Sequence, residues 1–313
     1  MNPKNLFIFA VFVCFAAVSA HADVSPDPAV LQLASVHAAV MDMDSGELLF
    51  GKHDDRVVPI ASVTKLMTAI VVLESGVDLD QWLTIVERQR PPPVNAYSRI
   101  RVGSELRRSD LLRITLMSSE NLAAYVLARH HPDGGHAGFV AAMNAKARTL
   151  GMDDTRFVDS SGLSDGNRST AGDLLRLLSA AMAYPEIGEY TRDANFTAHF
   201  RSPRYSLHYG NTNRLVQRND WAVVLGKTGY LRVAGRCLVM VADMDGRNVG
   251  VVLLDAFGRH SPLGDAGRIR RWLSNGEGGS VAEAARRYER ERSAAIAASV
   301  ACAADGDPET GNC

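Results

Sequence analysis

The sequence predicts an α+β fold in which a five-stranded antiparallel sheet is flanked by helices and carries an inserted all-helical lobe. Two observations carry that expectation. Strand-length apolar runs bounded by turn residues stand at both ends of the chain, and the stretch between them, residues of about 55 to 200, is mostly helical in its apolar periodicity. A third is that helical sequence flanks the strands, so that terminal helices cover the sheet and a cleft forms where the lobes meet.

In chain order, Lys4, the apolar stretch Leu6 to Val18 and the small-x-small site Ala20-His21-Ala22 read as a signal peptide cleaved after Ala22; the apolar stretch is too short for a membrane span. Cys14 leaves with it, and the bulky Val13 before that cysteine argues against a lipid anchor. His37 to Asp42 and Glu47 to Gly51 flank Asp44-Ser45-Gly46 and form a hairpin. Pro59 to Ser62 opens a helix that continues through Leu66 to Leu73, apolar nearly all round apart from Thr68, as a helix buried between lobes would be. Pro91-Pro92-Pro93 breaks the pattern and shapes a loop at the cleft rim. Leu111 to Leu127 is helical but interrupted by four polar residues, Ser118 to Asn121, which should line something.

Further along, His130, His131 and His136 sit in a turn-like stretch without a carboxylate or thiol set, so no metal is expected. Thr170-Ala171-Gly172-Asp173 is a capping box. Trp221 to Leu225, Arg236 to Ala242 and Val249 to Leu254 complete the sheet, with Asp245-Gly246 turning the last pair. A glycine-rich linker and the alanine-rich, helix-prone Val281 to Ala303 follow. Large apolar residues are few there, which favours a solvated helix over a membrane anchor. The expected division is a leader at 1–22, one catalytic domain at 23–275 with its helical lobe at about 75–200, and a linker with helical tail at 276–313.

Composition narrows the function classes. The 313 residues are 46% hydrophobic and 22% charged, ordinary globular values with ample material for a core. Loss of residues 1–22 removes Lys4 and no acid, which leaves a net charge of −2 and nothing that suggests nucleic acid. The cluster Arg268, Arg270 and Arg271 reads as a solvated helix face. Of the remaining cysteines, Cys302 and Cys313 in the tail are expected to pair in an oxidising compartment, and Cys237, in an apolar strand, to be a buried free thiol.

Three short motifs carry the chemistry: Ser62-Val63-Thr64-Lys65, Ser119-Glu120-Asn121 and Lys227-Thr228-Gly229, each present once and in the order used by serine acyl-enzymes that react with D-alanyl peptides and penicillins. A serine hydroxyl needs a base to take its proton, and a lysine becomes one only when desolvation or another cation lowers its pKa. Ser62 opens the buried helix and Lys65 lies one turn on, on the same face; Lys227 is the expected neighbouring cation. Ser119 would pass a proton towards the leaving amine, and Asn121 would orient a substrate amide. Lys227-Thr228-Gly229 continues a strand whose edge can pair with an extended peptide, Thr228 offering its hydroxyl to a carbonyl or carboxylate. The backbone N–H groups of Ser62 and Tyr230 would form the oxyanion hole.

With these motifs, and with Ser98 to Glu105, Phe157 to Ser164 and Asn211 to Val216, the chain resembles the low-molecular-mass penicillin-binding proteins of the D-alanyl-D-alanine peptidase family, most closely their periplasmic endopeptidase branch, over most of residues 35 to 275. The resemblance implies a β-lactamase/transpeptidase-like fold and an acyl-enzyme on Ser62 with Lys65 as base. It further implies Ser119 and Asn121 in support, and Lys227 with Thr228 holding substrate. It implies no cofactor, cross-linked peptidoglycan peptides as substrate, β-lactams as covalent inhibitors, and a periplasmic location. Carboxypeptidase activity is the alternative, because the three motifs do not separate it from endopeptidase activity. A β-lactamase is disfavoured for want of an E-x-x-L-N-type segment, and a non-catalytic module because all three motifs are intact. Family carboxypeptidases use an arginine beyond K-T-G for the terminal carboxylate, and Arg259 is the candidate counterpart.

Overall fold

The structure is a computed structural model that describes residues 26–89, 96–218 and 220–305. The expected leader at 1–22, Cys14, Pro91 to Pro93 and Cys313 lie outside the described residues, as does the side chain of Cys302. The elements follow in the order β1 (Ser35–Asp42), β2 (Leu48–Lys52), β3 (Val58–Pro59), α1 (Lys65–Glu74), β4 (Trp82–Thr84), β5 (Glu105–Arg107), α2 (Arg108–Met117), α3 (Asn121–Arg129), α4 (Gly135–Thr149) and β6 (Arg168–Ser169). They continue as α5 (Ala171–Ala181), α6 (Pro185–Arg192), β7 (Asn195–Phe200), β8 (Tyr205–Gly210), β9 (Ala222–Leu231), β10 (Gly235–Met244), β11 (Arg247–Ala256), α7 (Ser261–Asn275) and α8 (Glu283–Asp305).

Five strands form one antiparallel sheet in the order β2-β1-β11-β10-β9, so β9, which carries Lys227 to Gly229, is an edge. Both faces of the central strands are apolar because both are covered. Ala39, Val239, Val241, Val252 and Leu254 face the helical lobe and pack with Leu66, Met67, Ile70 and Leu174, whereas Ala38, Val40, Leu238, Met240, Val251 and Leu253 face Ala266, Ile269 and Trp272 of α7. The alternation of neighbours such as Leu238 and Val239 is the period of two of a strand. Thr170 caps α5 by accepting the Asp173 N–H at 3.0 Å, as the capping box predicts.

The inserted lobe is not all-helical. Two-stranded ladders β3–β6, β4–β5 and β7–β8 accompany its helices. The β7–β8 hairpin alternates exposed and buried residues, with Ala198, Phe200 and Tyr209 in the core. Its loop, Arg201 to Arg204, lacks the Asn-Gly or Asp-Gly signal that marks short hairpins in sequence. The helix expected over Leu111 to Leu127 is two helices, broken at Ser118-Ser119-Glu120, where Ser119 is left-handed with φ 63°.

The tail helix is docked rather than solvated along its first turns. Tyr288 Oη and Arg292 Nε each donate to the carboxylate of Asp255 at 2.6 Å, Arg292 Nη2 reaches the Val233 carbonyl at 2.7 Å, and Glu289 pairs with Lys52 at 3.0 Å. Asp255 is 1% exposed, so loss of the guanidinium strands a buried carboxylate. Arg292→Ala is expected to cost about 3 kcal/mol of stability, at the low end for breaking a buried ion pair because Tyr288 remains. Chemical denaturation checks it; a variant within about 0.5 kcal/mol of the parent, the range of an ordinary surface substitution, would show the contact to be inert. Among the described residues no helix is long and apolar enough to cross a membrane.

Candidate active site

Ser62 stands on a single 3-10 turn, Ala61–Thr64, that leads into α1, rather than in the first turn of the α-helix itself. Ala61 takes φ 48°, a left-handed conformation that costs an alanine roughly 1–2 kcal/mol and persists only where the surroundings fix it. Lys65, the first residue of α1, is fully buried. Its Nζ lies 2.8 Å from Ser62 Oγ and 2.8 Å from Asn121 Oδ1, and it also contacts the Ser161 carbonyl oxygen. Two of these partners can only accept. A neutral amine would give its two protons to them and keep its lone pair for the Ser62 hydroxyl, which then donates.

Electrostatics favours that neutral form. Burial pulls Lys65 down to about 7; Asp159 and Glu120 oppose the shift and the Arg88 guanidinium assists it. Arg88 is thus an assisting cation that the sequence did not suggest, beside Lys227, whose repulsion with Lys65 is mutual. Lys227 is itself fully buried and held well below the usual lysine range, by desolvation first and by repulsion from Lys65 second. Its Nζ donates to the Thr228 carbonyl at 2.9 Å.

The loop Phe157 to Ser164 supplies the Ser161 carbonyl, and the Asp159 carboxylate organises it. Oδ1 accepts from Ser161 N at 2.6 Å, Ser161 Oγ at 2.8 Å and Gly162 N at 2.7 Å, while Oδ2 accepts from Ser164 N at 2.8 Å. Asn167 ties this loop to the nucleophile's turn. Its Oδ1 accepts from Val158 N at 2.7 Å and its Nδ2 donates to Thr64 Oγ1 at 3.1 Å, and Thr64 Oγ1 donates to the Ala61 carbonyl at 2.7 Å. Thr68, the polar exception in α1, donates to the Ser160 carbonyl at 2.6 Å.

Between α2 and α3 the left-handed Ser119 projects into the cleft, and Glu120, rather than either serine, caps α3 by accepting the Leu122 N–H at 3.0 Å. Across from it, Thr228 Oγ1 donates to Thr212 Oγ1 at 2.6 Å, and the Thr212 N–H is fixed on the Met117 carbonyl at 2.9 Å. Gly229 passes hard against the nucleophile's turn: a Cβ there would lie 3.1 Å from the Ile60 carbonyl oxygen and 3.2 Å from the Ser62 amide nitrogen. A side chain would push the strand off the turn, which is the reason for glycine.

These elements enclose a cleft of about 620 Å³ lined by Ser62, Ser119, Asn121, Thr228, Gly229 and Tyr230 among others. The candidate site residues thus converge, with Lys65 and Lys227 buried beneath the cleft and Ser62, Ser119, Asn121, Thr228, Gly229 and Tyr230 on its wall. Arg259 also lines it. Sequence reasoning did not single out Arg88, Asp159, Thr212 or the Ser161 carbonyl. Apart from Arg88 these lie in the stretches that carry the family resemblance, but a backbone oxygen leaves no signature in residue type. Among the described residues no group of three or more His, Cys, Asp or Glu could hold a metal ion.

A family profile described as D-alanyl-D-alanine carboxypeptidase matches residues 21–258. The chain belongs to the D-alanyl-D-alanine carboxypeptidase family. It is a serine hydrolase of that family, and among family relatives it is 44% identical over 267 residues to a D-alanyl-D-alanine endopeptidase of Escherichia coli, covering 85% of this chain and 86% of the relative. A D-alanyl-D-alanine endopeptidase of Pseudomonas aeruginosa is 43% identical over 296 residues, covering 93% and 95%. Among solved structures, a Streptomyces DD-transpeptidase superposes with a TM-score of 0.71 at 27% identity over 78% of this chain and 98% of that one. A penicillin-binding protein of Listeria monocytogenes with ampicillin bound gives 0.68 at 31% identity over 78% and 99%. The α+β architecture read from the sequence is the fold of this D-alanyl-D-alanine carboxypeptidase family.

Proposed function

We propose that the protein is a periplasmic serine DD-endopeptidase that hydrolyses D-alanyl to diaminopimelyl cross-links in peptidoglycan through an acyl-enzyme on Ser62, and that β-lactams acylate the same serine. The observation that carries this reading is Lys65 Nζ, fully buried and 2.8 Å from Ser62 Oγ, with its other partners restricted to acceptors. Lys65 takes the Ser62 proton as Oγ attacks the D-alanyl carbonyl. The oxyanion falls to the N–H groups of Ser62 and Tyr230. Ser119 delivers a proton to the departing amine, and Asn121, whose Oδ1 is engaged by Lys65, turns its Nδ2 to a substrate carbonyl. Thr228 hydrogen-bonds the substrate, backed by Lys227, and the peptide extends along the free edge of β9. Water then releases the acyl group. In this reading residues 1–22 are the export leader, 23–275 the catalytic domain and 276–313 the linker and tail.

The relatives at 43–44% identity support cross-link cleavage over removal of terminal D-alanine. Digestion of a purified cross-linked muropeptide dimer tests it. Conversion to monomers is expected; loss of a terminal D-alanine alone would make the protein a carboxypeptidase.

The pH dependence follows from the base. Only neutral Lys65 accepts the Ser62 proton, so the second-order rate of acylation is expected to rise with pH and reach half its plateau near 7, where Lys65 titrates. Each unit below that costs about tenfold. A stopped-flow or mass-resolved acylation series between pH 5.5 and 8.5 reads it, and a rate flat across that range would refute Lys65 as the base.

A further inference from the structure

The cleft is lined by three arginines, Arg214, Arg236 and Arg259, and by no aspartate or glutamate. Among the described residues none of these side chains makes an ion pair or donates a hydrogen bond, whereas those of Arg268, Arg270 and Arg292, for example, do. They stand at separate points of the same wall. Thr228 and Tyr230, two residues apart on β9, project from one face of the edge strand. Arg214 begins two residues after Thr212, which holds the Thr228 hydroxyl. Arg236, paired with Tyr230 across the ladder, lays its guanidinium 3.8 Å from the centre of the Tyr230 ring. That stacking orients the cation and leaves its charge unneutralised, while Tyr230 remains 53% exposed at the cleft mouth. Three uncompensated guanidiniums are more than one carboxylate requires.

We infer that Arg214 and Arg236 form a second carboxylate subsite, which binds an acidic group of the cross-linked peptide other than the carboxylate beside the scissile amide. The inference rests on the endopeptidase reading for its substrate. A terminal D-alanine, as the leaving group, offers one carboxylate. A cross-linked dimer offers that of the diaminopimelyl centre at the scissile bond and, farther out, those of its isoglutamyl residues and of its free end. A planar fork held on an aromatic face suits bidentate capture of such a group. A leaving D-alanine carries one carboxylate and a leaving cross-linked peptide several, so a subsite that holds the leaving peptide favours the cross-link.

The test compares a purified muropeptide dimer with two forms of it, one carrying isoglutamyl and one carrying diaminopimelyl carboxamides. Wild-type kcat/KM is expected to fall about tenfold for the form that has lost the contacted carboxylate, as removal of one charge-assisted hydrogen bond would do. Arg236→Gln and Arg214→Gln are expected to cleave the fully acidic dimer about tenfold more slowly and to lose the distinction between acid and amide, while Arg236→Lys recovers part of it. Acylation of each variant by benzylpenicillin, followed by intact mass, separates a lost subsite from a lost catalytic centre. A wild type indifferent to both amidations would overturn the proposal, as would variants impaired equally on acidic and amidated forms. If wild type is acylated by penicillin yet leaves the dimer uncut, the endopeptidase reading fails. The subsite is then read from competition of the acidic and amidated dimers against acylation, where equal competition by both forms overturns it.

Discussion

Replacement of Lys65 by arginine is expected to lower the second-order rate of Ser62 acylation by benzylpenicillin about 10³-fold, in the middle of the range for loss of a general base. The argument is one of proton inventory. At the point where Nζ meets Ser62 Oγ, Asn121 Oδ1 and the Ser161 carbonyl, a lysine near 7 spends much of its time as a neutral amine with a free lone pair. A guanidinium has no lone pair to offer and does not lose its charge at any accessible pH. Lys65→Arg therefore keeps donors for Asn121 and Ser161 while it removes the base. Lys65→Met removes the donors as well and leaves the buried Ser161 carbonyl without its partner, at about 1–3 kcal/mol. Both variants should fail to acylate, but only the methionine variant should also lose the acceptors' hydrogen bonds. Intact-mass kinetics with thermal unfolding separates the two effects. An arginine variant that acylates within tenfold of wild type would assign the base to another group.

How much of this was legible in the sequence differs from element to element. The five sheet strands were, because Leu238 to Ala242 and Val249 to Leu254 are apolar runs of strand length closed by Asp245-Gly246, and both faces are covered in the structure. The β7–β8 hairpin was not: its alternation is short and its loop gives no turn signal. The break at Ser119 shows in the sequence only as polarity within a helix, since residue type alone does not announce a serine at positive φ. Motif chemistry placed Ser62, Lys65, Asn121 and Thr228 on one cleft because each residue type is demanded by its task. The source of the Lys65 shift was legible only in part. Desolvation follows from a helix apolar nearly all round, and Lys227 was the expected neighbouring cation, but the further cation Arg88 is far in sequence from every motif and brought near by the packing of the lobe. Docking of α8 was hidden for a related reason: Tyr288 and Arg292 are ordinary surface residues until Asp255 is known to be buried beneath them.

The second large effect is expected at Gly162. Its φ of 78° lies where an L side chain is strained, at roughly 1 kcal/mol for alanine in place of glycine. The steric cost is greater. A Cβ at this position would overlap the Ala61 carbonyl oxygen and lie 2.9 Å from the Ser62 amide nitrogen, and both are backbone atoms that cannot swing aside. Neither side of the contact is free to move alone. Gly162 N is held by Asp159 Oδ1 at 2.7 Å, and the Ala61 carbonyl by Thr64 Oγ1 at 2.7 Å, which is in turn held by Asn167. Relief therefore requires the Asp159 loop and the Ala61–Thr64 turn to part, and that carries the Ser161 carbonyl away from Lys65 and the Ser62 N–H away from the oxyanion position. Gly162→Ala is expected to lose about 2–4 kcal/mol of stability, the range for overpacking with added backbone strain. Acylation by benzylpenicillin should fall at least 10²-fold even in the folded fraction, because a displacement of about 1 Å in a positioned site is enough for that. Denaturant unfolding and intact-mass acylation on the same preparation separate the two losses. Full-rate acylation by a merely destabilised variant would mean that the loop and the turn move together as one body, and that the Ser161 carbonyl follows Lys65 wherever the helix carries it.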